Sequence, residues 1–425
     1  MRWAQAALAH CDKAFGSLRA LNLHGQKALG RLKPVPYLRS SGWNPYPLLE
    51  MTLYSKANDS PRQLVPPSLK EEAAVRQPRE RKTSNAPVRL SDVARFAGVS
   101  TASVSRAINF PDKVSPGLRG RVEKAALLLH WVPNGAAKAL ASLRSRTIGA
   151  LIPTLGHQNF AALLEALQRN LHRGNYTLIL GCMESTPGAR VLQARKMVER
   201  GIDFLVLVGE AQPPELFDLL KTQNIPFVIT YTSGHLSTYP CIGFDNYAAS
   251  EQITNHLLAL GHRSFGLIAA ASADNDRIQQ RITAVKDALA RHGLGIRTEH
   301  FAEVESSRRI AAGRAGLERI WSSPERPTAV ICTNDYLATG AMIEARARQI
   351  LIPQDLSVTG FDDVDLSEHL EPPLTTIRVP AGDLGTAIAD YVIRYLDQGD
   401  ATLPTALKAK LIVRGSTALP RALNR

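Results

Sequence analysis

The sequence predicts a small all-α helix-turn-helix head followed by a larger α/β body with parallel sheets. Residues 90–129 contain three short helical segments, with a glycine-bearing turn between the first two. From Thr147 onward, short apolar runs alternate with helical segments, which is typical of βαβ units. At 425 residues the chain also exceeds what one hydrophobic core normally supports, so we expect more than one domain.

The positive charge of the chain is concentrated in its first third. The net charge is +13, of which residues 1–88 contribute +8 and residues 89–146 contribute +7, whereas residues 147–425 carry −2. A basic head on a nearly neutral body favours contact with nucleic acid. The alternative is a basic surface that contacts solvent and binds no nucleic acid, and a sequence motif is needed to distinguish the two.

Composition disfavours membrane proteins, zinc proteins and disulfide-stabilised proteins. No stretch of about 18 uninterrupted apolar residues is present, so we predict neither a membrane span nor a membrane partner. Gly-rich phosphate loops are absent as well, and no cofactor is predicted. The cysteines form no CxxC pair, which favours free thiols in a reducing cytoplasm over a metal site. They are Cys11, Cys182, Cys241 and Cys332.

Residues 1–88 differ in composition from the rest of the chain. Proline-broken stretches such as Lys33–Pro36 and a charged run predict a disordered or weakly ordered extension. Its opening segment has some transit-peptide composition but lacks the apolar stretch of a signal peptide. The other interpretation is an upstream-extended translation start, with the protein proper beginning near Val88.

Two helices that cross over a tight turn are predicted at the start of the head. Val93 and Ala97 give the first helix a buried face, and Val104 and Ala107 do so for the second. Gly98 lies where the chain turns, and we expect a positive φ there. With a third helix, the predicted segments are Leu90–Gly98, Ser100–Asn109 and Ser115–Leu129, the last two with serine N-caps.

These residues resemble the DNA-binding head of the lactose-repressor/galactose-repressor family of bacterial regulators. The matching stretches are Asp92–Ala94, Ala97–Ser100, Val104–Arg106, Val114–Ser115 and Val132–Asn134. The resemblance continues through the body to about Leu419. It implies a DNA-binding domain at 89–133, a hinge helix at 134–146, an effector-binding and dimerisation domain at 147–419, and a tail at 420–425.

The resemblance implies that the second helix of the head enters the major groove of DNA. Thr101 and Ala102 are then expected to face base edges, and Arg106 to reach guanine O6 and N7. Hydroxyl and amide side chains on the same helix are expected to contact phosphate oxygens. These are Ser100, Ser103, Ser105 and Asn109.

In this family the segment after the head folds into a short helix on DNA and inserts a leucine into the minor groove. The matching stretch is Asn134–Ala141, with Leu140 as the wedge and Lys138 as a phosphate or groove contact. Isolated helices shorter than roughly 12–15 residues are marginal in water, so this hinge can respond to the body. Packing of Leu140 between domains is the alternative.

The resemblance implies a body of two lobes, like those of periplasmic sugar-binding proteins, with a ligand in the cleft between them. Ligands bind beyond the carboxyl ends of parallel strands, so binding residues should follow the strands. Helices such as Asn159–His172 and Ala248–Leu260 lie between the strands. The predicted strands are Ile148–Ile152, Leu178–Leu180, Phe204–Val208, Phe227–Ile229, Phe265–Ile268, Ala329–Cys332 and Leu356–Thr359.

Polar and aromatic residues follow these strands, and Arg281 is expected at the start of a helix. In the family, positions matching four of these residues stack on the effector or hydrogen-bond to it. An aromatic face with a guanidinium, an amide and a carboxylate suits a polyhydroxylated ligand. The predicted effector site consists of Phe160, Tyr231, Arg277, Arg281, Asn334 and Asp362.

Two departures from the family pattern favour an anionic effector. Thr230–Tyr231 stands where the family often has an acid, and Val379 stands where it often has a glutamine. Loss of an acid beside a retained Arg281 favours a sugar acid. The stretches Val114–Gly120 and Gly243–Asn246 also resemble the gluconate-repressor branch. Other sugars and nucleosides stay open as effectors.

No enzyme chemistry and no catalytic residue are predicted. Asp362–Asp365 clusters carboxylates, but no histidine or further acid joins it at a convincing ligand spacing, so no metal is expected. Four histidines are interpreted as isolated surface or loop residues, namely His157, His235, His256 and His262.

The sequence therefore predicts a cytoplasmic homodimeric transcriptional regulator that binds a pseudo-palindromic operator in double-stranded DNA. Such regulators are most often repressors. A sugar or sugar-acid effector would control it by binding one state better than another. The alternative class is a solute-binding protein of a sugar transport system, which would need an export signal and would carry no helix-turn-helix.

Overall fold

The computed structural model describes residues 87–135, 139, 144–183, 186–233, 237–305, 309–400 and 402–421. All of them belong to one compact unit, residues 84–425. The N-terminal extension up to residue 86, most of the hinge and the last four residues lie outside the described residues. The predicted roles of Lys138 and Leu140, and the interpretation of His235, therefore stay predictions.

The head consists of three helices, two of them capped as predicted. The Oγ of Ser100 accepts the backbone N–H of Ser103 at 3.1 Å, and that of Ser115 accepts the N–H of Leu118 at 3.4 Å. These bonds satisfy donors that the first turn of a helix leaves unpaired. The elements are α1 (Leu90–Ala97), α2 (Thr101–Asn109), a 3₁₀ turn (Pro111–Lys113) and α3 (Pro116–Leu128).

The turn between α1 and α2 depends on Gly98. Its φ is 65°, a left-handed conformation that glycine adopts at little cost, and its N–H bonds back to the last turn of α1. The turn brings the apolar faces of the helices together, as predicted. The core of the head contains Val93, Ala94, Ala97, Val104, Ala107, Val122 and Ala125.

The first lobe of the body is a five-stranded parallel sheet with strand order β2-β1-β3-β4-β5. All five residues of its central strand β3 are buried, because helices cover the sheet on both sides. Its elements are β1 (Thr147–Ile152), α4 (Gln158–Arg173), β2 (Thr177–Cys182), α5 (Pro187–Glu199), β3 (Phe204–Val208), α6 (Pro214–Thr222), β4 (Phe227–Thr230) and β5 (Cys241–Ile242).

The second lobe repeats this architecture with a four-stranded parallel sheet in the order β7-β6-β8-β9. Its elements are α7 (Asn246–Ala259), β6 (Phe265–Ala270), α8 (Asp276–Ala290), a 3₁₀ turn (Thr298–His300), β7 (Phe301–Val304), α9 (Arg309–Trp321), β8 (Ala329–Cys332), α10 (Asp335–Ala347) and β9 (Ser357–Thr359). The two-lobed α/β body is therefore confirmed.

The last part of the chain joins the lobes. A two-stranded antiparallel ribbon pairs Thr376 with Ile412, and a long helix returns to the first lobe, where it packs along α4. The elements are α11 (Leu366–His369), β10 (Thr376–Arg378), α12 (Ala381–Gln398) and β11 (Lys410–Ile412).

All seven predicted strands are present, with ends shifted by two residues at most. The sequence missed β5, β7, β10 and β11, which have two to four residues each and are too short to give a hydrophobic pattern. Within the described parts of the chain, no helix is both long and apolar enough to cross a membrane.

Candidate DNA interface and effector cavity

The outward face of α2 carries the three residues predicted to read bases. Thr101, Ala102 and Arg106 are exposed, whereas Val104 and Ala107 face the core. Residues four apart lie on the same side of a helix, so Ala102 and Arg106 belong to one surface. This surface is accessible from solvent.

The other predicted DNA contacts are oriented by hydrogen bonds within α2. The Oγ atoms of Ser100 and Ser103 lie 2.9 Å apart, and the Asn109 amide donates to the Oγ of Ser105 at 3.3 Å. A hydroxyl can donate one hydrogen bond and accept two, so these bonds leave capacity for a phosphate.

A cavity of about 520 Å³ lies beyond the carboxyl ends of strands from both lobes. This volume is in the range of small-molecule sites. The structure brings all six predicted effector residues into its wall, namely Phe160, Tyr231, Arg277, Arg281, Asn334 and Asp362. The sequence analysis missed further lining residues, among them His157, Asn159, Glu305 and Arg309.

Two of the lining residues have unusual backbone conformations. Tyr231, directly after β4, has a φ of 64°, and Asp362, three residues after β9, has a φ of 121°. Such positive φ values are uncommon for residues other than glycine and often occur at binding sites. The backbone N–H of Asp362 donates to the carbonyl of Ile377 at 2.9 Å. The backbone carbonyl of Asp362 accepts a hydrogen bond from the side-chain amide of Asn159 at 3.0 Å. These bonds hold the carboxylate at the cavity.

Arg281 is bound mainly by the protein itself. It lies in the second turn of α8, which corrects the expectation of a helix start. Its Nε donates to Asn246 at 3.0 Å, its Nη1 donates to the carbonyl of Thr333 at 2.7 Å, and its guanidinium lies 3.5 Å from the ring centroid of Phe361. Burial lowers the pKa of Arg281 to about 10, so the side chain is still charged at neutral pH. Arg281 thus joins α7, β8 and the loop after β9.

His157 lies in the loop before α4, as predicted, but the expectation that it is isolated is wrong. Its Nε2 lies 3.1 Å from Oδ2 of Asp362, and its ring packs against Phe160 and Tyr336 with centroid distances of 5.4 and 5.2 Å. The histidine orients the carboxylate toward the cavity. It had no sequence signal, because its only distinguishing feature is its position just before α4.

His256 and His262 are not isolated either. His262 is buried and bonds to Thr328 and Ser357 at 2.9 and 3.1 Å, and His256 bonds to Thr417 at 3.1 Å. Burial lowers the pKa of both histidines. His262 also bonds to the carbonyl of Ala418 at 3.0 Å, so both histidines attach the C-terminal segment to the second lobe, and neither lines the cavity.

Asn334 and its neighbour Asp335 have structural bonds beside the cavity. Asn334 caps α10 by accepting the N–H of Leu337 at 2.9 Å, although its side chain also lines the cavity. The fully buried carboxylate of Asp335 accepts from the backbone N–H of Val364 and from the hydroxyls of Ser367 and Thr376, at 2.5–2.9 Å. Burial, together with the charge of Asp362, raises its pKa to about 6. Asp335 therefore fixes the loop that carries Asp362.

Hydrogen bonds also connect the lobes around the cavity. The carboxylate of Asp276, the first residue of α8, accepts the N–H groups of Glu210 and Ala211 from the first lobe at 3.1 and 3.4 Å. Arg309 of α9 donates to the carbonyl of Gly156 at 2.6 Å. In this arrangement, the lobes enclose the cavity.

The stretch Asp362–Asp365 requires a further correction. A histidine and a further acid do join it, because potential ligand atoms of Asp365, Glu368 and His369 lie within 4.8 Å of one another on and next to α11. All three residues are exposed, and exposed carboxylates commonly cluster without a metal.

The chain combines a helix-turn-helix head with a body whose two lobes enclose a cavity. This combination is typical of DNA-binding regulators that respond to a small ligand. Comparison with known proteins agrees with this assignment. The profile described as bacterial regulatory proteins, lacI family, matches residues 89–134, and that of a periplasmic binding protein-like domain matches residues 254–417.

The chain is 30% identical to the HTH-type transcriptional repressor CytR of Escherichia coli (strain K12), in an alignment covering 78% of this chain and 97% of CytR. It is 28% identical to the HTH-type transcriptional regulator GntR of the same organism, over 75% of this chain and 94% of GntR. The crystal structure of the lac repressor dimer bound to operator and the anti-inducer ONPF has a TM-score of 0.70 at 26% identity, covering 78% of this chain and 100% of that one.

The chain therefore belongs to the lacI family of bacterial regulatory proteins. It is a ligand-responsive DNA-binding transcriptional repressor of that family, and it is not an enzyme.

Proposed function

We propose that two copies of this chain bind a pseudo-palindromic operator, and that a sugar or a sugar acid such as gluconate in the cavity controls this binding. The observation that carries the effector part is that all six residues predicted from the sequence line one cavity of about 520 Å³. The likeness to a repressor dimer bound to operator supports the DNA part. A two-fold operator matches a two-fold dimer.

The head, residues 89–133, supplies the sequence-specific contacts in this proposal. Thr101, Ala102 and Arg106 contact base edges in the major groove. The hinge, residues 134–146, adds contacts in and around the minor groove through Lys138 and Leu140. Phosphate contacts from α2 fix the register of the head without reading sequence. They come from Ser100, Ser103, Ser105 and Asn109.

The body, residues 147–419, binds the effector and forms the dimer, and residues 420–425 are a tail. Phe160 offers an aromatic face for the carbon skeleton of a sugar, and Asp362 accepts hydrogen bonds from its hydroxyls. Asn334, Arg281, Tyr231 and Arg277 supply the remaining polar contacts. This set combines apolar surface with a few directed polar groups, as small-molecule sites generally do.

Effector binding changes DNA affinity only if the effector prefers one arrangement of the body over another. Residues of both lobes line the cavity. A ligand that contacts both lobes therefore favours the arrangement in which they lie close together around it. Such a change acts on DNA in the cytoplasm, where we place the protein.

The test begins with the DNA. Selection of bound fragments from a random double-stranded library is expected to yield a two-fold symmetric sequence, and thermal shifts with a panel of sugars and sugar acids to identify the effector. Addition of that effector should change operator affinity by about 5- to 150-fold. Recovery of only asymmetric or random sequences would overturn the operator proposal, and absence of any stabilising compound in the panel would overturn the effector proposal.

A further inference from the structure

Three of the described arginines line the cavity, and they differ in the number of hydrogen bonds that each guanidinium makes within the protein. We infer that Arg277, and not Arg281, selects the effector for a carboxylate group, so that the cavity prefers a sugar acid over the corresponding neutral polyol. This inference rests on the proposed function, since it concerns the same cavity, and it names the chemical class of ligand and the residue that recognises it.

Two of the arginines are bound by protein groups. Arg281 uses Nε and Nη1 for Asn246 and Thr333, and it stacks on Phe361. Arg309 donates to the carbonyl of Gly156 and lies over the ring of Tyr336, with 5.1 Å to the centroid. These contacts use the guanidinium groups to hold the lobes and loops in place.

Arg277 lacks comparable contacts. Its side chain is only 11% exposed, yet it makes no hydrogen bond to any described residue, and its buried Nε has no partner there. The one ion pair it forms within the described part of the chain is with Oδ1 of Asp276, at 3.9 Å. Both oxygens of that carboxylate already accept backbone N–H groups of the first lobe.

A buried guanidinium without hydrogen bonds is unfavourable, because desolvation is not repaid by contacts. Burial accordingly lowers the pKa of Arg277. A ligand carboxylate would supply the missing partner, and a guanidinium can donate two parallel hydrogen bonds to one carboxylate.

Tyr231 provides a second, independent indication of a ligand. The residue is 3% exposed and lines the cavity, but its hydroxyl has no hydrogen-bond partner among the described residues. Burial and the charge of Asp362 raise its pKa, whereas the charges of Arg277 and Arg281 lower it, so these groups share one electrostatic environment. The Tyr231 hydroxyl and the Nε of Arg277 both lack a hydrogen-bond acceptor among the described residues, and a ligand carboxylate can accept from both.

The residues that line the cavity include more basic than acidic side chains. Three arginines face two acids, Glu305 and Asp362, among the described lining residues. Asp362 is already paired with His157 at 3.1 Å and remains suited to the hydroxyl groups of the ligand. A neutral polyol has no anionic group for Arg277, whose ion pair with Asp276 at 3.9 Å is longer than a hydrogen bond, whereas a ligand carboxylate can accept hydrogen bonds from its guanidinium.

The test measures binding of gluconate and galactonate against their neutral alditols, glucitol and galactitol, by calorimetry with the full chain. Wild-type protein is expected to bind one of the acids at least tenfold more tightly than its alditol. Arg277→Met should weaken binding of that acid tenfold to a hundredfold and change binding of the alditol less than threefold. Arg169→Met, on the exposed side of α4, is the matched control and should change neither.

A stability measurement separates recognition from a structural role. The melting temperature of ligand-free Arg277→Met should equal or exceed that of the wild type, because the variant removes a buried charge without hydrogen bonds. The inference would be overturned if Arg277→Met lost acid and alditol binding equally, if the wild type bound the alditol more tightly than the acid, or if ligand-free Arg277→Met melted at a lower temperature than the wild type. In each case the cavity would still be the proposed effector site. Failure of every sugar and sugar acid to bind would overturn the proposed effector function as well.

Discussion

Arg281 illustrates how one side chain can serve the fold and the site together. The sequence marked it as a ligand contact, and the structure adds bonds to Asn246 and to the carbonyl of Thr333. Its stacking on Phe361 connects it to the loop that carries Asp362. Truncation of Arg281 therefore removes internal contacts before any effect on a ligand is considered.

We expect Arg281→Ala to lower the free energy of unfolding of the ligand-free protein by about 3 kcal/mol, because hydrogen bonds to charged groups contribute about 1.5–3 kcal/mol each and the burial cost of the charge offsets part of that. Urea denaturation measures this change. Arg169→Ala, which removes an exposed ion pair with Glu165, should stay within about 0.5 kcal/mol of wild type. A loss below about 1 kcal/mol for Arg281→Ala would show that the internal bonds stabilise little.

Asp335 makes the stability of the body depend on pH. Its folded pKa of about 6 lies above the ordinary value of 3.8, chiefly because the carboxyl is buried. The folded state therefore binds a proton more tightly than the unfolded state. The stabilisation from this group is present below about pH 4 and is lost as pH rises through about 6.

A comparison of wild type with Asp335→Asn isolates this dependence. The advantage of wild type in free energy of unfolding should shrink by up to about 3 kcal/mol between pH 4 and pH 7, since about two pKa units correspond to that energy. Denaturation curves at several pH values measure the difference. A difference that stays constant or grows with pH would contradict the assignment.

At the scale of elements, the position of α2 in the head depends on a few neighbouring residues. Ser100 caps α2, Gly98 allows the turn, and small apolar residues let the helices approach closely. Arg106 is left on the exposed face of α2, one turn after Ala102. This geometry makes it the strongest candidate for base recognition.

Arg106→Ala should weaken binding to the selected operator by about 1–3 kcal/mol and relax discrimination at one base pair of each half-site. Arg95→Ala is the matched control, because it removes an equal charge from the exposed surface of α1. Fluorescence anisotropy with operator and with scrambled DNA measures both. An equal loss on the two DNAs would reassign Arg106 to a phosphate contact.

Features that depend on a few neighbouring residues could be predicted from the sequence. The helix caps, the positive φ of Gly98 and seven strands followed from local patterns, because each is set by a few neighbouring residues. All six predicted cavity residues follow a strand or lie on the helix after it, and the family resemblance singled out four of them. His157 and the ribbon of β10 and β11 were missed, because their roles depend on partners far away in the chain.

At the scale of the whole molecule, two packed helices connect the cavity to residues 144–146, the end of the predicted hinge. α4 begins at the cavity with Asn159 and Phe160, and it extends over 16 residues, about 24 Å. The carbonyl of Gly174 at its end accepts the Arg146 side chain at 2.8 Å. α12 packs along α4, and the carbonyl of Leu396 near its end accepts Arg144.

Asp203 completes this attachment. Its carboxylate accepts the backbone N–H groups of Ser145 and Arg146 at 3.0 and 2.7 Å and also bonds to the hydroxyl of Ser145. The last residues of the predicted hinge are therefore fixed to the same lobe that α4 crosses. A shift of α4 on ligand binding would be transmitted to the hinge through these bonds.

Asp203→Asn should therefore reduce the effect of effector on operator affinity while leaving effector affinity within about threefold of wild type. Coupling free energies of this kind are typically about 1–3 kcal/mol, and we expect most of it to be lost. Calorimetry for the effector and anisotropy for the operator give the two quantities separately. Full retention of coupling in Asp203→Asn would show that the signal does not pass through this attachment.

The central claim is that the cavity of the body controls DNA binding by the head. The most direct measurement is operator affinity with and without saturating effector, for wild type and for Asp362→Asn, whose carboxylate faces the cavity beside His157. We predict a change of about 5- to 150-fold in wild type, and in the variant little change at the same effector concentration, with unaltered affinity for operator alone. An equal change in both proteins, or none in a wild-type protein that binds the effector, would contradict the account.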